Sequence, residues 1–268
     1  MMDHIIYNVP ATLASEYRTR RKIVRLRDGS DIESLLALPD LADVICLQLP
    51  VNMKGVELLR SRKCPVLPLD VIVTDPAEEF PLLHEFSQFT SVRATISIWP
   101  GLNQAVRAAA SLNFYVRLEH GRADHDATDE LLEVLDFYLH NPTVAQPIDY
   151  FHSVLMSMIH DNSVSLWDIQ EENPGRFRTV TDDGQERLPG RLARMDLPLE
   201  MDSLVEQLSR KLFSGNKLCG GCNFFPICRG FFKRLDKAQE CAGHQAVFRA
   251  LQTAASELKA ELAASSSQ

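Results

Sequence analysis

The chain is short of aromatic residues, 7% of its 268 positions with two tryptophans, and no apolar run approaches the roughly 20 residues that cross a bilayer. A membrane-spanning role is not expected. Met1-Met2-Asp3-His4 lacks the basic start and apolar core of an export signal, so the sequence reads as cytoplasmic. A Gly-rich phosphate loop, HExxH and GxSxG are all missing, and with them the chemistries those motifs carry. Basic residues are in deficit too. Lys and Arg number 28 against 36 Asp and Glu, a net charge of −8, which argues against a chain built to grip nucleic-acid phosphates. No fixed-period repeat is visible.

What is present fits a folded chain, with 45% hydrophobic and 24% charged residues. The length suits one large domain and a small one. Charge is uneven, because Gly215 to Gln268 holds seven Lys or Arg against four Asp or Glu. The segment before it is correspondingly more acidic.

Over the first half, apolar runs of strand length alternate with amphipathic stretches of helix length, the pattern of an α/β fold with a parallel sheet. The expected strands are His4 to Val9, Ile23 to Arg27, Asp43 to Leu49, Pro65 to Val73, Ser91 to Ile98 and Asn113 to Glu119. Helices are expected over Asp31 to Leu38 behind a Ser30 cap, Val51 to Ser61, Pro81 to Phe89, and Asp126 or Thr128 to His140 before Asn141-Pro142. Periodicity leaves open whether these β/α units curl into a partial barrel or form an open sheet. Arg93, Thr95 and Ser97 alternate with apolar neighbours, as do Arg117 and Glu119. Strands covered on both faces are apolar throughout, so these rows imply a barrel interior, a cleft or an edge.

From Thr143 to Met201 the periodicity fades, and the segment reads as a connector. Thr181-Asp182-Asp183-Gly184-Gln185 suits a hairpin tip between Phe177 to Val180 and Glu186 to Leu188. A last helix is expected from His244 to Ala263.

Four of the six cysteines, Cys219, Cys222, Cys228 and Cys241, crowd into one short segment. In a chain with no export signal this points to a metal or cluster site more than to disulfides. The two-residue gap of Cys219-Gly220-Gly221-Cys222 lets one turn present two thiolates, with glycines that allow the backbone to curl. Four thiolates hold either a [4Fe-4S] cluster or a tetrahedral zinc. Structural zinc sites usually repeat the short pair, and only one such pair is present, so the cluster is favoured. The zinc alternative uses the same ligands, with His244 able to replace one. Phe224, Phe225, Ile227 and Phe231 would shield a cluster, and Arg229, Lys233, Arg234 and Lys237 would offset its charge.

Cys219-x2-Cys222-x5-Cys228, the following Arg229-Gly230 and the later Cys241 resemble the SPASM domain, the auxiliary-cluster module of many peptide-maturing radical SAM enzymes. Phe232 stands where that family places a further cysteine, and no cysteine pair precedes Cys219, so the resemblance implies one cluster. The radical SAM motif CxxxCxxC is absent, because Cys46 and Cys64 are too few and too far apart to supply it. No S-adenosylmethionine is therefore expected. The resemblance implies a degenerate, partial radical SAM-like β/α barrel over 1–142, a connector over 143–210 and a small SPASM-like iron–sulfur domain with its helix over 211–268. In length and layout the chain is similar to the SPASM partner of GeoRSP-type maturation systems. The implied partners are a radical SAM/SPASM enzyme, a small peptide-binding protein and a peptide substrate.

Two other readings compete, an α/β enzyme with Asp75 and Glu119 as acid or base, and a zinc-stapled interaction module. Asp75, Trp99 and Glu119-His120 end expected strands, where α/β enzymes place catalytic groups. His152 and His160 read as ordinary helix histidines, and Cys46 and Cys64 as buried thiols.

Overall fold

Six apolar runs of the first half form parallel strands: β1 (Ile6–Pro10), β2 (Lys22–Arg25), β3 (Val44–Pro50), β4 (Leu69–Val73), β5 (Val92–Ser97) and β6 (Tyr115–Glu119). The hairpin β7 (Phe177–Val180) and β8 (Glu186–Arg187) adds its first strand parallel to β1. The computed structural model describes residues 4–38, 40–61, 67–120, 128–162, 164–195, 197–199, 203–233 and 241–265. Cys64, Arg234 and Lys237 lie outside these residues, as do the expected strand start at Pro65 and helix start at Asp126.

The helices are α1 (Gly29–Leu36), α2 (Glu57–Ser61), α3 (Pro76–Glu79), α4 (Leu102–Ser111), α5 (Thr128–His140), α6 (Asp149–His160), α7 (Leu166–Ile169), α8 (Leu204–Gly215), α9 (Lys217–Gly220), α10 (Phe225–Cys228) and α11 (Ala242–Ser265). Helix α1 is capped by Asp28, whose carboxylate accepts from the Ser30 amide at 2.8 Å, so the expected Ser30 cap lies two residues too late. The segment read as a connector contains α6, the helix expected to carry His152 and His160, whose Tyr150, Phe151 and Val154 are fully buried. Between Pro81 and Phe89 a 3-10 turn, Phe80–Phe86, replaces the expected α-helix.

The sheet order is β6-β5-β4-β3-β2-β1-β7-β8, so the first six strands are spatial neighbours in chain order. Right-handed crossovers that never reverse direction place every helix of such a run on the same face. The architecture is thus α/β with an eight-stranded, mostly parallel sheet of barrel-like winding. Among the described residues its ends, β6 and β8, do not pair with each other, and hydrogen bonds leave the sheet open.

Side chains alternate between faces along a strand, and register decides which ones share a face. Val71, Val73, Ala94, Ile96, Val116 and Leu118 point one way and are buried in the main core. Gln48 pairs with Asp70, Asp70 with Arg93, and Thr95 with Arg117, so the other face carries a polar row. For β5 the edge interpretation fails, since β5 lies between β4 and β6. The row is interior. Beyond the sheet, α11 lies on α5 and α6, and its Val247, Phe248 and Leu251 join Phe224, Phe231 and Phe232 in a core continuous with that of the sheet.

Candidate metal centre and the polar face

The cysteine segment is built from three short pieces. Asn216 caps α9, its side-chain oxygen accepting from the amides of Leu218 and Cys219 at 3.0 and 3.4 Å, which fixes the first thiol. The turn after α9 presents Cys222, and Gln245 of α11 donates to the Cys222 Sγ at 3.8 Å. Helix α10 ends at Cys228, after which Arg229 (φ 46°) and Gly230 (φ 77°) take left-handed backbone.

That left-handed pair folds the chain back over the sulfur, so the amides of Gly230, Phe231 and Phe232 all bear on Cys228. Successive amides in such a turn form a concave anion-binding nest. Burial pushes the Cys228 thiol up to about 11, and the three amides work against that rise by favouring the thiolate. The turn is held from outside, where the Arg229 carbonyl accepts from Trp167 Nε1 at 3.3 Å and from Ser209 Oγ at 2.9 Å. Gly230 has no room for a side chain, because a Cβ there would run into Leu212. Gly230→Ala is accordingly expected to cost about 1–3 kcal/mol, read by thermal unfolding.

Electrostatics tie the four thiols together. Burial raises the Cys241 thiol, with Cys219 and Cys222 adding to the rise and Lys233 opposing it. Burial and then Cys222 raise Cys219, again against Lys233, and Cys241 bears on Cys228. The sequence-expected ligands Cys219, Cys222, Cys228 and Cys241 are thus brought within one another's field, beside a lysine only 6% exposed. A zinc ion with bonds of about 2.3 Å would hold its sulfurs about 3.8 Å apart. Among the described residues no three His, Cys, Asp or Glu groups gather as one metal ion would require. His244, the alternative zinc ligand, lies flat on Phe232 with ring centroids 3.6 Å apart.

Behind Cys228 stands Tyr150 of α6, fully buried, its hydroxyl without a hydrogen-bond partner among the described residues. Burial first, and then the charge of Cys228, raise its pKa. An unpartnered buried hydroxyl is a donor without an acceptor, and a thiolate-held cluster at Cys228 would offer it one. His120 fills the gap between the sheet and the cysteines, edge-on to Tyr150, Phe231 and Phe232 at 4.9, 6.1 and 5.2 Å. Burial holds it neutral, well below the usual histidine range, with His244 and Arg191 adding to the shift. Arg191 lies 3.7 Å over the Phe231 ring and donates to both Glu172 oxygens at 3.0 and 3.1 Å. Water is excluded on this side by aromatic rings. The expected shields Phe224 and Phe231 are buried, whereas Phe225 and Ile227 are partly exposed.

The polar face of the sheet is crossed by a continuous hydrogen-bonded chain. Arg25 donates to Asn8 at 2.9 Å, Asn8 to Gln48 at 2.9 Å and Gln48 to Asp70 at 2.9 Å. Asp70 also accepts from Thr95 at 2.6 Å and twice from Arg93 at 3.0 and 2.8 Å. Glu171, just after α7, bridges Arg93 and Arg117 at 2.8 and 2.9 Å from a left-handed backbone (φ 56°). The interior is therefore occupied by the chain's own ion pairs. Cys46 lies on this face, and burial, then Asp70, push its thiol up to about 12, as befits an inert buried cysteine.

The other sequence candidates take local roles. Asp75 caps α3 by accepting from the Glu78 amide at 3.4 Å, and His152 Nδ1 meets the Tyr138 hydroxyl at 3.1 Å. Glu119 ends β6 and His120 follows it, with Glu119 raising Glu172 behind the effect of burial. Asp75 and Glu119 stand on different strands' ends without a shared hydrogen bond among the described residues. Tyr150, Gln245, Glu171 and Asp70 were not singled out in the sequence. Asp70 alone left a signal, a lone carboxylate inside Leu69-Asp70-Val71-Ile72-Val73 that must find a buried cation. No protein-family model, curated protein or solved structure matches the chain.

Proposed function

We propose that the chain is an auxiliary iron–sulfur protein, holding one [4Fe-4S] cluster on Cys219, Cys222, Cys228 and Cys241 as the non-catalytic partner of a radical SAM enzyme in peptide maturation. The observation that carries this reading is the shared field of the four thiols, with three backbone amides turned onto Cys228. Tyr150, Gln245 and Lys233 supply the hydrogen bonds and positive charge that an anionic cluster needs around it. When bound, such a cluster supplies a one-electron reservoir.

In this reading the N-terminal units are a partial, degenerate radical SAM-like barrel and the cysteine segment is a SPASM-like domain. The sequential parallel strands support the first part. A non-catalytic role is supported by the missing CxxxCxxC motif and by the interior ion pairs of Asp70, Arg93, Glu171 and Arg117, which fill the face that a substrate would need. The protein would dock the enzyme, present its peptide or pass electrons, in the cytoplasm.

Anaerobic purification followed by iron, sulfide and zinc analysis tests the reading. About four irons and four sulfides per chain, with a broad absorption at about 400 nm, are expected. Stoichiometric zinc without iron would overturn it and leave a zinc-stapled interaction module.

A further inference from the structure

The cysteine segment carries an apolar patch on an otherwise acidic molecule. Phe213 at the end of α8 is 52% exposed and Leu218 on α9 is 74% exposed, beside the partly exposed Phe225, whose ring centroid is 5.2 Å from that of Phe213. Most surface apolar residues are solitary, whereas these three flank the first two thiols. Exposed Arg210, one helical turn before Phe213, and exposed Lys211 and Lys217 rim the patch. From Ser203 to Lys233 there are five Lys or Arg and one acid, Glu206, which lies 3.7 Å from Arg229. A chain of net charge −8 thus turns a basic, apolar spot outward at its cysteines. Gly220 and Gly221 are exposed and put no side chain over the loop between Cys219 and Cys222. Gly220 is also held against the backbone, since a Cβ there would stand 2.9 Å from the Phe213 carbonyl.

We infer that this patch is a docking surface for a small acidic redox protein. The inference deepens the cluster reading and rests on it. An apolar centre within a rim of one charge selects a partner of opposite charge with an apolar centre of its own. A patch of three side chains matches the small, transient contacts of electron carriers rather than an obligate interface. The bare glycine loop lets a partner's backbone come close to the thiols. A second copy of the chain would also offer acidic surface. Patch-to-elsewhere contacts between copies would be heterologous, however, and build rings or open fibres rather than a simple dimer.

The test uses the full chain, purified anaerobically, and an acidic plant-type [2Fe-2S] ferredoxin as the probe, with affinity measured by titration calorimetry at low and moderate salt. Binding is expected to weaken about tenfold or more in Lys211→Glu/Lys217→Glu and in Leu218→Glu, and to weaken with added salt. Arg187→Glu on β8, a charge reversal elsewhere on the surface, is expected to bind as the parent does. No binding at low salt, or binding that ignores both patch variants, would overturn the inference. Self-association lost in the same variants would assign the patch to a second copy and overturn it too. Iron content read on each sample keeps the two proposals apart: an iron-free protein that still binds through the patch sinks the cluster reading alone.

Discussion

Cys228→Ala is expected to strip the chain of its metal, taking bound iron from about four per chain to below one and abolishing the absorption at about 400 nm. Of the four thiols, Cys228 is the one on which three backbone amides converge. Its removal leaves those amides with nothing to bond, so local structure is lost along with the thiol. Metal-site binding energy is folding energy in a small cysteine module, and the unfolding midpoint should fall with the iron. Cys46→Ala is the matched control, because Cys46 is a buried thiol on the sheet's polar face, and it should keep its full iron content. Iron analysis of the two variants side by side decides the matter; a Cys228→Ala protein that retains the full content would remove this thiol from the site.

The second large effect lies at Asp70, which is fully buried and takes hydrogen bonds from Gln48, Arg93 and Thr95. Asp70→Ala leaves the Arg93 guanidinium facing a gap and breaks the chain that runs from Arg25 to Glu171. The expected cost is about 3–5 kcal/mol, seen as a midpoint drop of roughly 10 °C in thermal unfolding. Burial by itself raises the Asp70 pKa, but Arg93, Arg117 and Thr95 outweigh it and hold the carboxyl below its ordinary value. The unfolded chain thus binds this proton more readily than the folded one. The stabilisation is complete above about pH 4, the ordinary range of an aspartate, and is lost as pH falls through the lower folded value. Asp70→Asn should flatten that acid limb. A midpoint within 2 °C of the parent for Asp70→Ala would show that the ion pairs contribute nothing.

The strands were legible because their signal is local. All six expected runs of the first half overlap the observed strands, and the hairpin at Thr181 to Gln185 forms where its turn chemistry placed it. Among the helices longer than five residues, α4 and α8 were not expected. Helix α4 buries Leu102, Ala105, Val106 and Ala109 at helical spacing, but half of that face is alanine and reads weakly as apolar, and α8 lies beside a segment whose pattern had faded. At the site, cysteine spacing picked out the four thiols that the fold brings within one another's field. Their surroundings were hidden. Tyr150 reaches Cys228 from 78 residues away and Glu171 bridges Arg93 and Arg117 from the far side of α7, contacts that only the tertiary fold creates. The polar row on β5 and β6 was visible as an anomaly; β5 lies inside the sheet, whereas β6 is its end strand, as the edge reading expected.

The sheet's strand order also dictates a timetable for biosynthesis. Strands β1 to β6 meet partners from the neighbouring β/α unit, so that half can assemble as it leaves the ribosome. Strand β7 pairs with β1 across most of the chain, Ile6 against Phe177, and such distant pairings pay their loop-closure entropy late. The cysteines follow β7 in the chain, and their seat includes His120 and Tyr150 from segments made earlier. Loading of the proposed cluster would thus be the final act of maturation, and a cell starved of iron or sulfide would accumulate chains with a finished sheet and an unfinished tail.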